Sequence, residues 1–363
     1  MFKRISTALI FIFATLLLSS CVRPSGSQIE FALGTVCAVN LYEKGNDPLY
    51  SRIFSRVREI DRTMSFYAGE YQDMLGGALT DPDGRTASVI QSAAEALTSG
   101  VFAVNVQAGI TPVKVRADLI EVLEKALYYA ELSDGAFDPT VGPLVRLWGI
   151  GTDNPYFPDE DEITQALDLV NWRDLIIDRE NSTAFLRRRG MAIDLGAIAK
   201  GYAVDEAVRI AREAGVKRAI FDFGGDIAVI GWREEKGKNR LPWRIGIQNP
   251  LSERGAYIGI LRVNDKSIVT SGVYERFSEM NEKRYHHILS TKDGYPVENG
   301  LLSVTVMADQ TADADAISTA AFALGFEKGK ALIDTIPGVE AIFIFDDNIV
   351  KTTAGMFDIF VYK

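Results

Sequence analysis

Arg218-Ala219-Ile220-Phe221-Asp222-Phe223-Gly224-Gly225-Asp226-Ile227-Ala228-Val229-Ile230 holds two strand-like runs, 218–223 and 227–230, with three residues between them. Three residues suffice for a hairpin, whereas a parallel crossover takes about a dozen or more. Similar runs follow at Trp243–Gln248, 258–263, 302–306, 341–345 and 349–352. Hairpins therefore outnumber strand–helix–strand crossovers. The expected fold class is α+β, with mixed, largely antiparallel sheets and flanking helices.

Upstream, residues 31–42 alternate like one strand. Asp47-Pro48 then offers an N-cap and a proline for a first helical turn, with Leu49, Ile53, Val57 and Ile60 at helical spacing. A second amphipathic helix runs over Ala117–Leu132 and stops near Asp134-Gly135. A third starts near Gly196 and reaches Gly215, turning Ile198, Tyr202, Ala207, Val208 and Ala211 inward; a last one covers about 312–324. The stretch 71–103 carries a turn, Asp81-Pro82-Asp83-Gly84, then an Ala/Ser-rich helix-like piece, and reads as a surface insertion or a lid. No repeat or linker divides the rest, so residues 30–363 read as one domain.

The chain has 363 residues, 47% apolar and 24% charged, with a formal net charge of −10. That excludes disordered and low-complexity classes. Asp and Glu exceed Lys and Arg by 49 to 39, which argues against a nucleic-acid partner, since that needs a basic field. The only cysteines are Cys21 and Cys37, and the only histidines are His286 and His287. A metal here is expected on oxygen ligands, as Mg²⁺ or Ca²⁺ is.

Residues 1–21 combine Lys3-Arg4, an apolar run over 8–18 and Leu18-Ser19-Ser20-Cys21. This is a secretory leader, too short to span comfortably. Its end resembles a bacterial lipobox, in which the cysteine is lipidated; a plain signal peptide or membrane anchor with a chance cysteine is the simpler alternative. Residues 22–29 read as a tether. The mature domain is then expected in the bacterial cell envelope, exported and held at a membrane by lipid on Cys21.

Four segments concentrate glycine, hydroxyls and carboxylates: 134–143, 194–202, 222–226 and 269–274. Glycine after a strand lets backbone N–H groups approach a phosphate, although each alone is more often a turn. On the helix from Thr311, Asp315 and Thr319 share a face, with Ser318 beside them, as a partial oxygen cage. The plainer alternative is that Asp313 and Asp315 complement the helix dipole. His286 and His287, read as part of a strand over 285–289, point to opposite faces, so one could enter a site as a base. Motifs for serine hydrolases, P-loops and zinc proteases are absent from the sequence.

Leu-Gly-Thr (33–35), Met-Ser-Phe-Tyr (64–67), the runs 108–115, 131–144 and 194–205, Gly-Gly-Asp-Ile (224–227), Thr-Ser-Gly-Val-Tyr-Glu-Arg-Phe (270–277), His-His-Ile-Leu (286–289) and Ala-Asp-Ala-Ile-Ser-Thr-Ala (314–320) stand in this order. Together they closely resemble the ApbE family of Mg²⁺-dependent FAD:protein FMN transferases. The resemblance implies a single ApbE-like domain that binds FAD in an elongated cleft. The family moves the FMN half of FAD to a Ser or Thr hydroxyl of a target flavoprotein, here expected to be a membrane redox-complex subunit, and releases AMP.

Matched by motif, the resemblance puts Mg²⁺ on Asp315, Thr319 and the backbone carbonyl of Ala197, with Ser318 nearby. It puts FAD against Asp194, Lys200, Ala136, Phe137, Asp138, His287 and Ile288, with Leu33 and Tyr67 lining the flavin or adenine pocket. His287 is the candidate acceptor of the hydroxyl proton, and Asp315 the alternative. Three departures stand out: Leu33 replaces a usual Met, Ser290-Thr291 replace Asp-Pro, and 71–103 is longer than usual. The rival readings are an FAD pyrophosphatase giving FMN and AMP, and a non-catalytic flavin carrier.

Overall fold

The computed structural model describes residues 26–66, 98–150, 152, 155–235, 238–280 and 283–363. The leader with Cys21, Tyr67 and most of 71–103 lie outside these described residues. The chain opens with a hairpin, β1 (Gln28–Ala32) and β2 (Thr35–Leu41), followed by α1 (Asp47–Met64) and α2 (Val101–Val106). Next come β3 (Val113–Lys114), α3 (Ala117–Leu132), α4 (Gly142–Trp148), α5 (Glu160–Leu167), β4 (Leu175–Asp178) and β5 (Thr183–Leu186). Helix α6 (Ala199–Glu213) leads into β6 (Ala219–Phe223), β7 (Asp226–Ile230), β8 (Arg233–Glu235), β9 (Lys238–Leu241), β10 (Trp243–Gln248) and β11 (Tyr257–Val263). Strands β12 (Ser267–Gly272), β13 (Phe277–Met280), β14 (Lys283–His286) and β15 (Leu301–Ala308) precede α7 (Thr311–Leu324) and α8 (Phe326–Asp334). Strands β16 (Glu340–Phe345), β17 (Val350–Thr352) and β18 (Phe360–Tyr362) close the chain.

Among the described residues, eight strands form one sheet in the order β1-β2-β6-β7-β12-β15-β16-β17, and each of its ladders is antiparallel. The α+β expectation is met. Helices α1, α6 and α7 cover one face and bury Tyr50, Phe54, Ala207, Ile317 and Phe322 against Phe221, Phe223, Val304 and Phe343. On the other face, Trp243, Ile245 and Leu261 of the β10-β11-β18 sheet pack on Ile268, Ile342 and Ile344. A small satellite core of Leu144, Trp148, Ile163 and Leu289 holds α4 and α5 to the body.

Several sequence boundaries need correction. The run 31–42 is two strands, turned at Leu33-Gly34 with φ of 55° and 67°. Two positive φ values make the mirror-image turn that suits hairpin twist, but Leu-Gly lacks the usual Asn-Gly signal. Strand β1 begins at Gln28, inside the stretch 22–29 that reads as a tether. Asn46, not Asp47, caps α1, its Oδ1 accepting from Leu49 N at 3.0 Å. Helix α6 starts at Ala199, three residues after Gly196, because 196–198 form turns. Strand β14 ends at His286 instead of continuing to 289. Of the stretch 71–103, residues 101–103 begin α2, with Val101 and Ala103 buried in the main core.

Candidate active site

Two turns and two helices bring the site together. The two-residue turn Gly224-Gly225, at φ of 66° and 100°, joins β6 to β7 and starts β7 at Asp226, which is buried. A side chain at Gly224 would meet Thr35 Oγ1 at 2.2 Å, so only glycine fits between the two hairpins. This pair acts foremost as a hairpin turn. Lys200, in the first turn of α6, then reaches Asp226 with Nζ 3.0 Å from Oδ1 and 3.1 Å from Oδ2.

Helix α7 supplies the third charge. Asp315 is buried; its Oδ2 accepts from Gly201 N at 3.2 Å and from Lys200 Nζ at 3.5 Å. Its neighbour Asp313 instead pairs with Lys125, so the two aspartates divide their work. Asp205 of α6 accepts from Thr311 N at 2.7 Å and Ala312 N at 2.9 Å, tying down the first turn of α7. Burial first, then the Asp315 charge, push the Asp226 carboxyl well above its usual range, and Lys200 only partly opposes them. Burial alone would push the Lys200 ammonium down, but Asp226, Asp315 and Glu275 outweigh it and hold it above its ordinary value. Two buried carboxylates thus share one ammonium.

Hydroxyls line the next stretch of α7. Ser271 Oγ shares hydrogen bonds with Ser318 Oγ at 2.8 Å and Thr319 Oγ1 at 3.1 Å, and Ser318 Oγ also donates to Asp315 O at 2.9 Å. Gly201 N is turned to Asp315 and makes no backbone bond to the Ala197 carbonyl, the acceptor one helical turn back. That carbonyl, the Asp315 carboxylate and the Thr319 hydroxyl are hard oxygen donors beside surplus negative charge, a donor set that fits Mg²⁺. Among the described residues, no three His, Cys, Asp or Glu side chains are grouped as a metal site. Most of an octahedral shell would come from hydroxyl, carbonyl, water or substrate oxygens.

The two histidines separate cleanly. His286 Nε2 donates to Val297 O at 2.8 Å, its Nδ1 accepts from Ile288 N at 3.3 Å, and its ring stands edge-on to Phe322. It is a core residue. His287 Nδ1 faces Arg276 O at 3.1 Å, and a carbonyl there fixes the proton on Nδ1 and leaves Nε2 as an acceptor. Burial pushes its pKa down to about 4; the carbonyl bond opposes that, while the Arg276 and Lys200 charges add to it.

Of the remaining expected FAD contacts, Asp194 and the 136–138 run are tied together through Pro139. Asp194 N donates to Pro139 O at 2.8 Å, and Asp194 Oδ1 accepts from Gly196 N at 2.7 Å. Burial pushes the Asp194 carboxyl up against that bond and the Arg276 charge. Both oxygens of Asp138 are used internally, by Thr140 N, Thr140 Oγ1 and Trp172 N, so this carboxylate holds the turn. Ala136 lines a cavity of about 330 Å³ with Ser290 and Thr291, whose Oγ1 donates to Gly135 O at 2.7 Å. Thr291 therefore ties the 290–292 turn to the 134–139 segment despite the departure from Asp-Pro. Phe137 and Ile288 are buried, and Leu33 sits in the β1–β2 turn.

A second concavity of about 590 Å³ reaches Lys200 from the hairpin side. Gly34, Thr35, Asp222, Gly225, Gln248 and Glu275 are among its lining residues, and Arg254 and Arg276 stand at it too. Enclosure in this trough pushes Glu275 up to about 7, with Lys200 pulling the other way. Asp226, Ser271 and Glu275 are not among the site residues expected from sequence. Gly-Gly-Asp was the available signal for Asp226, and the run 270–277 holds both Ser271 and Glu275 without singling out either side chain.

This α+β domain thus joins a buried Lys–Asp–Asp centre, a hydroxyl cluster and a carbonyl-oriented histidine. The chain belongs to the ApbE family, whose sequence profile it matches over residues 33–343. It is 36% identical over 341 residues to the FAD:protein FMN transferase of Treponema pallidum, covering 92% of this chain and 88% of that one. It is 38% identical over 246 residues to one from Klebsiella pneumoniae, covering 68% and 75%. Its fold is similar to the crystal structure of the ApbE protein of Thermotoga maritima, with a TM-score of 0.73, 29% identity, and coverage of 91% and 97%.

Proposed function

We propose that this chain transfers the FMN half of FAD to a Ser or Thr hydroxyl of a target protein and releases AMP. The observation that carries this reading is the buried Lys200–Asp226–Asp315 centre. The acceptor oxygen attacks the FMN phosphorus, a new P–O bond forms, and the diphosphate bridge breaks toward AMP. His287 Nε2 takes the hydroxyl proton. At neutral pH this nitrogen is unprotonated, and the negative diphosphate raises its basicity when FAD binds. Lys200 offers charge to the same phosphates, held in place by Asp226.

Asp315, Thr319 and the Ala197 carbonyl, with Ser318 alongside, would hold Mg²⁺, which supplies neutralisation of the diphosphate charge. Ala136, Phe137, Asp138, Asp194, Ile288, Leu33 and Tyr67 complete the FAD site in this reading. The target is a flavoprotein subunit of a membrane redox complex, and the enzyme reaches it from the cell envelope, anchored by lipid on Cys21. Among the described residues, no helix is long and apolar enough to cross a membrane. The test follows AMP release by the chain from residue 22 onward, with FAD and a candidate acceptor. AMP should appear one for one with FMN bound covalently to the acceptor; AMP matched by free FMN instead would make the chain a pyrophosphatase.

A further inference from the structure

Among the described residues, the outer face of the first hairpin is apolar and uncovered. Ile29 is 63% exposed, Phe31 74% and Val36 53%. Phe31 pairs with Val36 and Ile29 with Ala38, so the four side chains share one face. The only charged residue of either strand, Glu30, turns the other way and pairs with Arg58 of α1. The β10-β11-β18 sheet covers this side of the large sheet over β7, β12, β15 and β16 but stops short of β1 and β2. Three exposed apolar side chains in one uncharged patch are more than scattered surface residues.

Register ties the patch to the catalytic trough. Ile29 stands opposite Ala38, Ala38 opposite Asp222, and Asp222 opposite Ile227, and the last two line the trough. The hairpin's own Gly34 and Thr35 line it as well, and Arg254 and Arg276 supply positive charge at the same place, beside the carboxyl groups of Asp222 and Glu275. Gln28, where β1 begins, lies seven residues after Cys21, and seven extended residues span at most about 25 Å.

From these observations we infer that the Ile29–Phe31–Val36 face rests on the lipid bilayer, so that the trough opens at the membrane. The inference rests on the reading that Cys21 is the anchor. A lipid tether alone leaves the domain free to rotate. An apolar face close to the tether selects one orientation, and arginines beside it meet the headgroup phosphates. That orientation presents Lys200 and its trough to an acceptor embedded in the same membrane.

The test uses the chain starting at Cys21, coupled through that thiol to a maleimide lipid in phosphatidylcholine–phosphatidylglycerol vesicles; Cys37 is buried and does not compete. Phe31→Trp and Phe357→Trp are compared with the parent for extra quenching by brominated lipid. Phe357 is 85% exposed and lies beside β16, toward the other end of the sheet. The Phe31→Trp variant should show roughly threefold more added quenching than Phe357→Trp, as depth in the headgroup region demands. Equal quenching in both, or none in either, overturns the inference. So does shielding of the Phe31→Trp indole from aqueous acrylamide before vesicles are added, since the chain itself then covers the face. Shielding that appears only with an acceptor protein assigns the face to that protein and also overturns it. The coupling supplies the anchor artificially, so the anchor reading is judged separately, by the mass at Cys21 in chain recovered from its native membranes.

Discussion

Gly201 N donates to Asp315 Oδ2 across 3.2 Å, joining residues 114 apart in sequence. The bond exists because α6 and α7 touch through a glycine: a Cβ at 201 would meet Thr311 O at 2.5 Å and Ala312 Cα at 2.7 Å. Gly201→Ala should force the helices apart and move Asp315 off Lys200. The expected loss is about 1–3 kcal/mol of stability in urea unfolding, with at least about tenfold in transfer rate from misplaced charge. Unchanged activity would mean the helix contact does not set the site.

Asp205 positions Asp315 by holding the first turn of the same helix, at Thr311 and Ala312. Asp205→Ala should cost about 1–2 kcal/mol, as loss of an N-terminal cap does. Its carboxyl is pushed up to about 6 by burial, against the pull of the two backbone bonds. A folded pKa above the unfolded one means the native state binds the extra proton. This contribution to stability is present below about pH 4 and lost as pH rises through about 6. Asp205→Asn should flatten that slope in unfolding curves taken between pH 4 and 7.

The two histidines should respond differently. His287→Ala should lower kcat by about 10²–10⁴-fold with FAD affinity little changed, as loss of a general base does. His286→Ala removes the Val297 bond and the Phe322 contact, so its main effect should be on melting temperature. Isothermal titration with FAD, steady-state rates and calorimetry together separate these outcomes.

Lys200→Met would leave Asp226 and Asp315 facing each other without their shared cation. Breaking a buried pair in this way costs about 3–5 kcal/mol. Because the substituted site is more negative, added Mg²⁺ should raise the variant's melting temperature more than the parent's. Equal shifts would argue against a cation site at Asp315.

Much of the architecture was legible locally. Helix α3 and strand β10 have the bounds their periodicity gives, since each shows one buried face and a clear stop. The turn at Leu33-Gly34 was hidden because a leucine takes the positive φ that a reader expects of Asn or Gly. Helices α4 and α5, at seven and eight residues, are too short for a strong periodic signal. The capping box from Asp159 to Glu162 would have revealed α5.

The site follows the same divide. Spacing alone placed Asp315, Ser318 and Thr319 on one helix, and the structure brings Lys200 to Asp315 and Ser271 to the two hydroxyls. The closeness of Asp226 and Ser271 depends on β7 and β12 being neighbours in the sheet, which no local pattern encodes. Asp138, expected at FAD, has its carboxylate committed to the 138–140 turn and Trp172 N, a role visible only from the fold.

The most direct test of the account is the intact mass of a candidate acceptor flavoprotein after incubation with this chain, FAD and Mg²⁺. The acceptor should gain one FMN less water, and EDTA or Asp315→Ala should abolish the gain while FAD still binds. An acceptor modified equally well by Asp315→Ala, or one left unmodified while free FMN and AMP accumulate, would contradict it.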